Sequence, residues 1–265
     1  LFTPSRALRA AGTRGEPLPH LNELHALYQY GFEPRKGQML MVAGQSGAAK
    51  TFFALWLAAR WGVRTLYCSQ DSDAHTMISR LISYATGFPT DDVSLQISRD
   101  PSAYAGVLDD CPIRFCFESL TIEGLEQELD AGVEVWDEYP ELIVIDNLSD
   151  LDVGDETHAA KLFAMQELHK LRRTGAAVLV LHHTRSNPSG KNNWTTSDPQ
   201  PRWEIDNKLD RKPEAILTVA IDTYSGQFVM SPVKNRTGKC TPDASVRFRL
   251  GMDLSRCNFY LPGGH

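Results

Sequence analysis

One stretch limits what this chain can fold into more than any other: Met39-Leu-Met-Val-Ala-Gly44-Gln45-Ser46-Gly47-Ala48-Ala49-Lys50-Thr51. An apolar run ends in small residues, and a lysine–hydroxyl pair then opens an amphipathic segment from Phe52 to Trp61. That order reads as a strand, a tight loop and a helix N-terminus. Gly44 and Gly47 let the loop turn its N–H groups inward as an anion cradle, and the helix dipole favours negative charge at the same point. Gly44 through Thr51 are therefore expected to hold a nucleoside triphosphate such as ATP, with Lys50 reaching the β- and γ-phosphates and Thr51 ligating Mg²⁺. The pattern G-x-x-x-x-G-K-[ST] asks for a second glycine where this chain has Ala49. A backbone already near helical would accommodate the methyl group.

The rest of the chain alternates between strands and helices. Leu21 to Tyr30 reads as a short helix ended by Gly31, and Arg64 to Gln70 as a strand followed by a helix from Ala74 to about Ala85, which Thr86-Gly-Phe-Pro89 stops. Ile113 to Phe117 is a strand, and Thr121 is the expected N-cap of the next helix. Glu141 to Asp146 and Ala177 to Leu181 are short, continuously apolar runs, as in parallel strands buried on both faces, with a helix from about Glu156 to Arg173 between them. From Ala215 the pattern shifts to short strands, Ala215 to Ile221, Gln227 to Val233 and Val246 to Leu250. The expected fold is α/β: a mostly parallel twisted sheet flanked by helices, with an antiparallel hairpin extension at its C-terminal end. One domain is expected over residues 1–265, with an arm and short helix over 1–33.

Ligands of such a sheet gather at the carboxyl ends of its strands. Asp146 ends its strand where a carboxylate can hold the magnesium shell. Asp71 lies just past the second strand, placed to polarise a water as general base, although Asp71 or Asp73 could instead cap the next helix. His182 and His183 follow the strand after Asp146, and His183 is the favoured sensor of the γ-phosphate. The long segment from Thr184 to Trp203 carries Arg185, Lys191 and Arg202, with Trp194 available to stack on a base, a composition suited to single-stranded nucleic acid. Lys234 and Arg236 sit at i and i+2 on one face, two donors suited to one polyanion.

Composition removes some classes and leaves others. At 42% hydrophobic residues, no apolar run approaches the roughly 20 residues of a membrane span, so no membrane partner is expected. Five cysteines without a C-x-x-C fit reduced thiols in a cytoplasm better than a disulfide frame or a zinc site. A net charge of −6 argues against a uniformly basic nucleic-acid coat, yet positive charge on a few loops would suffice.

Taken together, these residues resemble the RecA-like motor domain of DnaB-type hexameric helicases (superfamily 4), including phage- and plasmid-encoded relatives, over about residues 30 to 250. Gly44 to Thr51 looks like the family's first motif. Leu66 to Asp71 looks like the strand ending in its catalytic glutamate, here shortened to aspartate. Leu142 to Asp146 is similar to Walker B, Leu181 to Thr184 to the sensor strand, and Lys234-Asn-Arg236-x-Gly238 to the finger motif. The resemblance implies an ATP hydrolase acting on single-stranded DNA as a ring, expected to be a hexamer, in a bacterial or phage-infected cell. It implies that Lys234 and Arg236 act on the neighbouring subunit's nucleotide and that a loop over 184–212 faces the DNA. A helicase loader or other replication or recombination proteins are the implied partners. The stretch ahead of Met39 is expected to be too short for the collar domain that docks a primase in many replicative helicases. Three alternatives stay open: a regulatory ATPase of the KaiC type, a RecA-like filament former, and a nuclease using Asp146, Asp150, Asp152, Asp155 and the histidine pair.

Overall fold

The computed structural model describes residues 15–118, 121–151, 157–185, 197–205 and 208–263. Its spine is a nine-stranded sheet in the order β3-β2-β4-β5-β1-β6-β7-β8-β9. The strands are β1 (Met39–Gly44), β2 (Thr65–Ser69), β3 (Ile113–Cys116), β4 (Leu142–Asp146), β5 (Ala177–His183), β6 (Ala215–Asp222), β7 (Gln227–Asn235), β8 (Phe248–Asp253) and β9 (Asn258–Tyr260). β1 to β6 are parallel, and β7, β8 and β9 extend the sheet by antiparallel hairpins. The mostly parallel α/β sheet with its antiparallel extension is the architecture expected from the sequence.

The continuous apolar runs are explained by burial on both faces. Alternate residues of each central strand enter different cores. Leu40, Val42, Val144, Leu179 and Leu181 face one core with the helix Lys50–Trp61 (α2) and the helix Ala74–Thr86 (α3). Met39, Met41, Ile143, Ile145, Val178 and Val180 face the other with the helices Ile122–Trp136 (α5) and His158–Leu171 (α6). On the first side an aromatic cluster locks α2 onto the hairpin extension: the Phe53 ring lies 4.7 Å from Phe228 and 5.4 Å from Phe259.

Local chemistry sets the boundaries. The Thr121 and Thr157 hydroxyls accept hydrogen bonds from the N–H groups of Gly124 and Ala160, so α6 starts at His158, slightly later than its apolar spacing implies. The expected helix over 21–30 is a 3₁₀ turn at Asn22–Leu24 followed by the short helix His25–Gln29 (α1). A further helix, Thr90–Arg99 (α4), lies where the sequence showed only a stop. The segment Thr86-Gly-Phe-Pro89 joins two helices rather than opening a loop. Gly87 ends α3 at φ +75°, and Asp91 and Asp92 favour the new N-terminus.

The strand pairing has one consequence for function. Gly44 ends β1 at the carboxyl edge of the parallel sheet, whereas Asn235 ends β7 opposite Ala215, which pairs with Leu40 near the start of β1. The phosphate-loop motif and the Lys234–Arg236 motif therefore occupy opposite edges of the sheet, separated by the length of β1, about 20 Å.

Candidate nucleotide site

β1 delivers its loop to a cleft of about 210 Å³, lined by residues 46–52 together with Asp71, Ser72, Arg80, Asp146, Asn147, His183 and Leu254. Gly44 is required for close approach: a Cβ there would lie 2.5 Å from the carbonyl oxygen of Val219 on β6. Gly47 adopts φ +78°. Ala49 sits at φ 57°, ψ 27°, a left-handed conformation, so the expectation of a near-helical backbone there is corrected. This is the geometry for which the pattern calls for glycine, and an L-residue bears strain of about 1 kcal/mol in it.

Lys50 is the first residue of α2. Its ammonium lies over the loop, donating to the carbonyls of Gly44 (3.0 Å) and Gln45 (2.8 Å), with His183 Nδ1 at 3.3 Å. Burial lowers its pKa to about 8 against the opposing pull of Asp146 and Asp71. A lysine that can move from two carbonyl acceptors onto a phosphate is well placed to grip an incoming anion.

Asp146 is buried at the end of β4. It accepts from the Thr51 hydroxyl at 3.2 Å and from the Tyr67 hydroxyl at 2.9 Å. Burial raises its carboxyl to about 6, although both hydrogen bonds pull the other way. Among the described residues no cluster of three or more histidine, cysteine or acidic side chains could enclose a metal. A hydroxyl and one carboxylate facing a phosphate cradle instead fit Mg²⁺, which keeps waters and takes substrate phosphates as its remaining ligands. Of the acidic set of the nuclease alternative, Asp152 and Asp155 lie outside the described residues.

Of the two acids at the end of β2, one caps the helix that follows. Asp73 is the cap, accepting from the Thr76 N–H at 2.7 Å, while Asp71 is exposed and lines the cleft. Two contributors were missed by sequence reasoning. Tyr67 lies on β2, where the Ser69–Asp146 register brings it beside the β4 carboxylate. Arg80 reaches the cleft from α3, its guanidinium 4.2 Å above the Phe52 ring. Its only sequence signal was a position two turns into a helix whose N-cap borders the site.

The remaining candidates lie elsewhere. The Arg185 N–H donates to Glu204 O at 3.0 Å, which ties the beginning of the long segment to its end. Arg202 forms an ion pair with Asp210 at 2.6 Å. Lys191 and Trp194 lie outside the described residues. Lys234 and Arg236 share a face as expected, and both are directed at the 210–214 turn rather than the cleft.

Residues 31–189 match the AAA domain family. The chain belongs to the AAA domain family. It is 34% identical over 263 residues to the Gene 65 protein of Mycobacterium phage L5, covering 94% of this chain and 96% of that protein. The Gene 65 protein of Mycobacterium phage D29 is 32% identical over 219 residues, covering 78% and 92%. Among solved structures, a DnaB-like replicative helicase described with its interactions with primase superposes with a TM-score of 0.74 at 15% identity, over 97% of this chain. This chain spans 64% of that helicase's length. A second solved structure, an isolated ATPase domain, gives a TM-score of 0.73 at 15% identity, over 97% of this chain and 95% of that domain. The fold of this AAA-family chain is thus the RecA-like one of DnaB-type ATPase domains.

Proposed function

We propose that this AAA-family protein is an Mg-ATP-dependent motor of single-stranded DNA, working as a ring of the DnaB-like replicative type, expected to be a hexamer. One observation carries the reading: Lys50, Thr51, Asp71, Asp146 and His183 line one cleft at the carboxyl ends of the parallel strands, and the Lys234–Arg236 pair lies at the opposite strand ends. In the cleft, Gly44 to Thr51 bind the triphosphate and Lys50 neutralises its phosphates. Thr51 and Asp146 would hold the magnesium, whose chemistry there would be to neutralise charge on the phosphates. Asp71 orients the attacking water, and His183 senses the phosphate that leaves. A guanidinium about 20 Å from its own nucleotide is useful to the nucleotide of the next protomer, so Arg236 acts in trans.

The nucleic-acid surface begins directly after His183, which links phosphate sensing to strand contact through the chain itself. Arg185, Lys191, Trp194 and Arg202 are its proposed contacts. At the far end of the segment, Trp203 is 61% exposed beside a recess of about 470 Å³ that Arg202, Lys208 and Arg211 also line. Cations around an aromatic face suit phosphates and a stacked base. Loading and replication proteins are the partners this reading implies.

The test is ATP turnover with and without single-stranded DNA. Turnover should rise severalfold on adding DNA and vanish in Lys50→Ala. Turnover indifferent to DNA would favour a regulatory ATPase on the same fold.

A further inference from the structure

The finger motif is bonded on both faces of the sheet. Lys234 and Arg236 are directed at the 210–214 turn on one side. Asn235, between them, points to the other side, because side chains alternate along a strand. It pairs with Ala215, which packs against the same core as Leu27 and Phe32. There the Asn235 amide donates to the Gly31 carbonyl at 2.8 Å, across 204 residues of chain, and to the Lys239 carbonyl at 3.4 Å. Its Oδ1 accepts from both the N–H and the hydroxyl of Thr237 at 3.1 Å, which turns the chain directly after Arg236. The receiving turn is firm. The Gly31 N–H donates to Tyr28 O at 2.8 Å and the Phe32 N–H to Leu27 O at 3.1 Å, closing α1 over two buried side chains, Leu27 and Phe32. Gly238 completes the seat: a Cβ there would run into the Gly31 carbonyl oxygen and lie 2.6 Å from Asn235 Nδ2. Lys239 closes the far side, its ammonium 5.9 Å from the centre of the Tyr30 ring.

We propose that Asn235 and Gly238 are positioning residues: they seat the finger loop on the turn that closes α1, so that Lys234 and Arg236 meet a neighbouring protomer's phosphates as a pair. The catalytic consequence rests on the trans role proposed above, whereas the seat itself does not. An amide and a glycine carry no charge with which to seek a phosphate. The seat therefore holds while both cations leave their carbonyl acceptors for an incoming anion, much as Lys50 does in the cleft. Placement matters here because a displacement of about 1 Å in a charge-stabilising group can cost on the order of a hundredfold in rate. The seat lies at the foot of α1, so a shift of that helix is passed to both cations at once.

Subunit mixing, read beside hydrogen exchange of the nucleotide-free full-length chain, tests this. Asn235→Asp keeps the acceptor for Thr237 and removes the donor to Gly31. It should speed exchange across 30–32 and 235–240 severalfold, leave β1 and β5 protected, and lower kcat about tenfold or more with KM for ATP unchanged. Mixed with Lys50→Ala chains, whose fingers are intact, it should regain part of its turnover. Mixed with Arg236→Ala chains it should regain none, since every finger in that assembly is faulty. Recovery with both partners, or with neither while Lys50→Ala and Arg236→Ala chains rescue each other, would overturn the proposal, because a finger defect gives neither pattern. Unaltered exchange or intact turnover would overturn it as well. Gly238→Ala should fall in the same group and takes over the comparison if the aspartate variant does not fold. If Lys50→Ala and Arg236→Ala chains fail to rescue each other, the trans reading is what falls, and exchange together with kcat still judges the seat.

Discussion

Asp146 shows how burial sets the conditions under which one side chain functions. Its carboxyl is raised from 3.8 to about 6 because it lies under the sheet edge. An acid raised in this way contributes stability that is present below the unfolded value and is lost as pH rises through the folded one. Above about pH 6 the nucleotide-free chain therefore carries a buried charge costing up to about 3 kcal/mol. Asp146→Asn should melt higher than wild type at pH 7.5, by a margin that shrinks toward pH 4.5, while Mg-ATP no longer raises its melting temperature. Equal melting of the two chains at both pH values would refute this. At Ala49, substitution by glycine relieves a left-handed methyl group but adds freedom to the unfolded chain, so a gain of about 1 kcal/mol or less is expected from urea unfolding.

At the scale of elements, the β1–loop–α2 unit was legible because strand, turn and helix are consecutive and each leaves its own local signal. The same holds for Asp146, announced by the apolar run of β4. What escaped depends on contacts between distant segments. Tyr67 joins Asp146 through strand register, which no local pattern encodes. α4 escaped because among its residues only Val93 is buried, so it has almost no apolar stripe to read. The role of Gly44 was legible as chain flexibility but is really one of space, set by the β6 backbone. Gly44→Ala should part β1 from β6, cost about 1–3 kcal/mol in chemical denaturation and abolish nucleotide binding. Wild-type stability and affinity in that variant would show that the neighbouring strand yields.

For the molecule as a whole, the parallel order of β1 and β6 and the antiparallel return of β7 put cleft and guanidinium at opposite poles. Mixing Lys50→Ala with Arg236→Ala chains should restore part of the lost turnover, because some contacts then pair an intact cleft with an intact arginine. No recovery at any ratio would argue against sharing between subunits. If Arg236 serves the next protomer's cleft as proposed, each protomer has a head and a tail, and its contacts are heterologous. An open row of such units always leaves one unserved cleft at its end, whereas a closed circle leaves none. Turnover per chain should then climb with assembly size and jump on closure, so the circle itself becomes the last catalytic component to arrive.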